Sequence, residues 1–172
     1  MAVTSPGDVT NFKVGNHRVT WNGVVLGITA AGSQITYEQI WREKTGDQTG
    51  QTVLDEDLVG EKMSIELTLK EFTVANLGRV IPGATVTAGA VKAGVQYGGA
   101  IKLSSYVQQL TLHPLNLDDS VVTADWIVFK CVPVLSGPIP AKHDEDMVLP
   151  VKFKILPDTS KPIGQQLFQF GA

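Results

Sequence analysis

The sequence predicts a mostly-β chain of antiparallel strands with one short helix packed on a sheet. Three observations carry this. A period of two dominates the apolar pattern, which is the mark of strands with one buried and one wet face. Only one stretch has helical spacing with a signal at each end. Turn residues separate the strands at short intervals. The 172 residues suit a single domain, 1–172, and 43% apolar with 18% charged residues is a globular composition.

Taken in order, Val19–Leu26 holds Asn22-Gly23 between apolar runs, the strongest short hairpin signal. Ile35–Arg42 is a strand with Tyr37 and Trp41 on one side and Glu38 and Arg42 on the other. Met63–Lys70 alternates strictly. Thr73 caps a helix over 73–81 that carries Val74, Leu77 and Ile81 and stops at Pro82-Gly83, although Gly78 weakens it by up to ~1 kcal/mol relative to Ala. Tyr106–Leu112 is a strand whose Gln108-Gln109 pair breaks the alternation, as a bulge would. Trp126–Val134 is β-branched and aromatic and reads as a strand buried on most of both faces. Leu149, Val151, Phe153 and Ile155 alternate with Lys152 and Lys154.

Two segments read as long loops. Thr45–Gly60 lies between strong strands and holds Asp47, Asp55, Glu56 and Asp57 with no basic residue, yet also Val53-Leu54 and Leu58-Val59, which a purely solvating loop does not need. Gly83–Gly99 is rich in Gly, Ala and Val. The tail 163–172 is apolar for a chain end and would fray unless it docks.

The chemistry-bearing residues form no recognisable constellation. There is no Gly-x-Ser-x-Gly, His17, His113 and His143 stand in bland surroundings, and Cys131 reads as a small core residue. Asp55-Glu56-Asp57, Asp118-Asp119 and His143–Asp146 read as solvated turns rather than metal sites. Gly89–Gly94 lacks the Gly-Lys-Ser/Thr of a phosphate cradle. Lys plus Arg number 14 against 17 for Asp plus Glu, a net charge of −3, so the basic excess of a phosphate-gripping domain is missing. No apolar run approaches the roughly 20 residues of a membrane span, and the N-terminus has no signal-peptide pattern, so a cytoplasmically made soluble protein is expected. No cofactor or metal is expected. Long sheet edges and a half-apolar loop leave two readings open: a self-contained β-sandwich, or an edge-paired assembly of identical copies.

Three stretches resemble the tail tube proteins of tailed bacteriophages: Leu26–Ile40, Gly46-Asp47-Gln48-Thr49-Gly50, and Val59–Leu77. The shared order is a Gly-rich approach, a strand, an Asp-x-Thr-Gly loop, Gly-Glu, an alternating strand, Glu, and a short helix with Asn-Leu. It covers roughly residues 20–82. The resemblance implies an antiparallel β-sandwich or barrel-like fold with a flanking helix and a long hairpin loop. It also implies rings, six copies each in that family, that stack into a conduit for genome ejection. On that reading Asp47, Val53, Leu54, Asp55, Glu56, Asp57, Leu58 and Val59 contact the next ring, and Glu38, Glu66 and Thr68 are candidates for an acidic or neutral lumen wall. The partners would be further copies of the chain and other tail proteins (tape measure, tail terminator, tail tip). DNA would pass without specific binding, and the chain would reside in the virion, made in the host bacterial cytoplasm, without binding membrane by itself. The alternatives are a tube or effector carrier like those of type VI secretion, and a monomeric ligand-binding β-sandwich.

Overall fold

The computed structural model describes residues 15–47, 50, 52–94, 101–144 and 146–171. The expectations for the N-terminal stretch, for 95–99, for Glu145, for Gln48-Thr49 and for the final residue fall outside them. The described residues are mostly β with a single α-helix, as the pattern predicts. The strands are β1 (His17–Trp21), β2 (Val24–Val25), β3 (Thr29–Thr45), β4 (Val53–Leu69), β5 (Thr85–Thr87), β6 (Ala90–Lys92), β7 (Gln108–Pro114), β8 (Trp126–Leu135), β9 (Leu149–Ile155) and β10 (Phe168–Phe170). The helix α1 spans Val74–Val80.

One antiparallel sheet runs β2-β1-β7-β8-β9-β4-β3, with β10 also paired to β8. It curves around one core: Val19, Ile65, Leu67, Leu69, Leu110, Leu112, Val128, Cys131, Leu149, Val151 and Phe153 are buried in a single cluster. Its two margins approach each other, for the Gly15 carbonyl lies 3.6 Å from where a Cβ on Gly32 would stand. The main sheet is one continuous antiparallel layer, and α1 packs on β8.

Local signals place most elements. Asn22 and Gly23 both take positive φ, 51° and 72°, the left-handed pair a tight hairpin needs. Thr73 Oγ1 accepts from Asn76 N at 3.1 Å and starts the helix. Asn76 is buried and donates through Nδ2 to the carbonyls of Leu26 and Glu71, which fixes α1 to the chain before β3. Gly78 has a packing role: a Cβ there would run into Val86 of the β5–β6 hairpin, which occupies part of the segment expected to be a loop.

The break at Gln108-Gln109 is a bulge, but the extra residue belongs to β8. Leu110 faces Val128 and Gln108 faces Cys131, so Phe129 and Lys130 together oppose Gln109. Val128 and Cys131 thereby both point into the core, which no regular strand allows at that spacing.

Candidate assembly surface

The expectation of a loop over Thr45–Gly60 is corrected. Val53–Gly60 belongs to β4, and only 46–52 connects it to β3. The pairing is irregular at three places, and two of them bear on the sequence pattern of this segment. Lys44 faces Asp55 while Thr45 faces Val53, and Ile40 faces Gly60 while Trp41 faces Leu58. Leu54 and Val59 are thus the extra residues of two bulges. Each makes its neighbour a second adjacent apolar residue, so the period of two is lost and the strand reads as a loop.

β9 pairs with β4 only from Ser64 onward. N-terminal to Met63, which still enters the core, the β4 residues and their β3 partners form a two-stranded arm standing clear of the sheet. At ~3.3 Å per residue its β4 strand reaches roughly 35 Å. Trp41 is 51% exposed and Leu54 61%, and Tyr37, Val53, Leu58 and Val59 are exposed with them. One face continues the core side and carries Tyr37, Gln39, Trp41 and Glu43 opposite Met63, Glu61, Leu58 and Glu56. The other carries a charge ladder: Lys44 Nζ lies 2.6 Å from Asp57 Oδ1, and Arg42 Nη2 lies 3.0 Å from Asp57 Oδ2. These two cations hold the Asp57 carboxyl below its usual pKa, Lys44 more than Arg42. Asp55 lies 3.6 Å from Lys44, and Asp47 is exposed in the connecting turn. So Asp55, Glu56 and Asp57 are strand residues, not a solvated turn. The site residues proposed for this segment all lie on one projecting element.

Glu38, Glu66 and Thr68 share the outer face of the sheet, since Glu38 faces Lys62, and Glu66 faces both Gln34 and Lys152. That face is not acidic. It also bears Lys62, Lys152 and Lys154, and Lys152 Nζ donates to Glu66 Oε1 at 2.6 Å. Sequence alternation gives each strand's face, but only the register shows which strands share it.

The tail docks. After Ile155 the chain leaves the edge of β8, forms a hook over 156–167, and returns as β10 in line with β9. Leu156 N donates to Lys130 O at 2.9 Å, and Phe129 N donates to Leu167 O at 3.3 Å, so the hook springs from the β8 bulge. The same bulge turns Lys130 and Phe129 toward the hook. Lys130 Nζ lies 2.9 Å from Asp158 Oδ1, and Lys161 Nζ lies 4.6 Å from the Phe129 ring centroid. The Lys130 contact, with bonds from Ser160, holds the Asp158 carboxyl down to about 2. Ile163 at the hook tip is 97% exposed. A groove of about 1090 Å³ separates the hook from the base of the arm, lined by Leu58, Glu61, Met63, Ile155, Ile163 and Phe168 among others.

His113 is the residue whose setting the sequence conceals. It is buried, and its Nδ1 lies 2.7 Å from Oδ1 of buried Asp125. The partners stand at opposite ends of the turn that joins β7 to β8, so the pair closes that turn. No spacing signal marks it, because a strand end and a turn meet there only after folding. No nucleophilic side chain takes part in the hydrogen bonds described for this pair. His17, on adjacent β1, has its pKa lowered chiefly by burial. Cys131 is buried, which pushes its thiol up to about 12. Among the described residues, no three His, Cys, Asp or Glu side chains gather as a metal site.

No family model matches the chain, and no curated protein matches it.

Proposed function

We propose that this chain is a structural subunit of a bacteriophage tail tube that assembles into stacked rings, hexameric on the family resemblance, and forms a conduit for genome ejection. The projecting arm carries this reading. A two-stranded ribbon is marginal by itself, and its exposed Trp41, Leu54, Leu58 and Val59 gain burial only against another surface. Glu43 stands opposite Glu56 on the same face as Trp41, a like-charge pair that a cation from a partner would relieve. The length of β3 as an outer strand of the sheet offers an edge for pairing with a further copy. On this reading the partners are copies of the chain in the ring and in the next ring, then the tape measure, terminator and tip proteins, and the location is the virion tail.

Electron microscopy of concentrated protein, with sedimentation across a dilution series, tests the reading. Rings or tubes that dissociate on dilution are expected. A monomer at every concentration and salt would overturn it. The groove beside the arm favours a second reading, a ligand-binding β-sandwich, which a persistent monomer would support.

A further inference from the structure

We propose that the C-terminal strand β10 is a latch that sets the direction of the arm, with Phe168 as the tie between arm and body. Because the chain leaves the edge of β8 at Leu156 and returns at Leu167, β4 loses its second neighbour beyond Ser64. The arm is then held by its own cross-strand bonds, and a two-stranded ribbon twists and pivots easily. A groove lies between the arm and the hook.

At the base of the arm, Tyr37 meets Phe168 edge to face, with centroids 6.0 Å apart and planes at 77°. Phe168 is itself fixed. It pairs with Val128 on β8, and its ring lies 5.2 Å from that of Trp126. Phe170 adds a second contact to Trp126 at 5.0 Å. Beyond it, Gly171 N donates to Asp125 O at 2.9 Å, on the residue whose carboxylate holds buried His113. Phe168 thus bridges a rigid strand and a ribbon that has no other ring contact to the body among the described residues. Aromatic pairs of this geometry are directional as well as attractive, which suits a part that fixes an angle. The inference concerns the single chain and does not depend on tube formation.

Spin labels on Asp47→Cys and Leu115→Cys report the arm's direction, since both sites are exposed and native Cys131 is buried. A narrow distance distribution is expected in the otherwise unaltered chain. Phe168→Ala should broaden it at least twofold, with the far-ultraviolet circular dichroism unchanged, and should speed tryptic cleavage after Arg42 and Lys44 several-fold. If Phe168→Ala does not fold, Tyr37→Ala decides, because Tyr37 is 43% exposed and lies outside the buried core. It should broaden the distribution equally, and the double variant should add nothing. An unchanged distribution in a folded single variant, or effects that simply add, would overturn the proposal.

Discussion

Gly78 sits inside a seven-residue helix, where alanine would favour the helix by ~1 kcal/mol. Its Cβ would collide with Val86, so Gly78→Ala should instead destabilise the fold by about 1–3 kcal/mol, the usual cost of overpacking. Chemical denaturation checks this, and adding Val86→Ala should recover most of the loss. Asp158 gives a pH prediction. Its carboxyl titrates near 2 in the fold and near 3.8 unfolded, so the folded state releases the proton more readily. Its stabilisation is complete above about pH 5 and is lost as pH falls toward 2. The gap in thermal midpoint between the native chain and Asp158→Asn should therefore close between pH 5 and pH 2.

At the scale of elements, the arm and the body obey different constraints. The body half of β4 alternates because Met63, Ile65, Leu67 and Leu69 all enter one core. The arm half has no core to enter, so its apolar residues are placed by bulges and remain exposed. Leu54→Asp with Leu58→Asp should leave monomer stability within ~0.5 kcal/mol, since exposed sites tolerate change. The same variant should abolish ring or tube formation by microscopy. If tubes still form, the apolar side chains of the arm are not the contact.

For the whole molecule, charge is divided unevenly. Residues 37–62 hold seven acidic and three basic side chains, so the arm bears −4 in a chain of −3, and the remainder is slightly basic. Two copies of net charge −3 repel at long range, so salt that screens this repulsion should favour assembly, which sedimentation at rising salt checks. The face holding Glu38 and Glu66 has mixed charge, with three lysines beside them. If it lines a bore, Glu38→Lys with Glu66→Lys leaves it strongly basic and should slow DNA ejection while tubes still form. Each added phosphate contact raises salt-dependent affinity, and stacked rings repeat it. Ejection at the normal rate through intact tubes would remove that face from the bore.

The sequence by itself determined the elements whose cause is local or periodic. Asn22-Gly23 dictates its turn through backbone sterics, Thr73 caps α1 through its own hydroxyl, and Leu149–Ile155 alternates because one face is buried. Tertiary structure alone decided the rest. The β4 side of the arm was unreadable as strand because two bulges erase the period of two, and bulges are defined by the partner strand. His113 and Asp125 became a pair, and Phe168 met Tyr37, only because the sheet brings distant segments to one end. Glu66 acquired lysine neighbours because β9, more than eighty residues later in the chain, lies beside β4 in one register. Local preference acts over a few residues, whereas register and face sharing are set by burying one core from the whole chain.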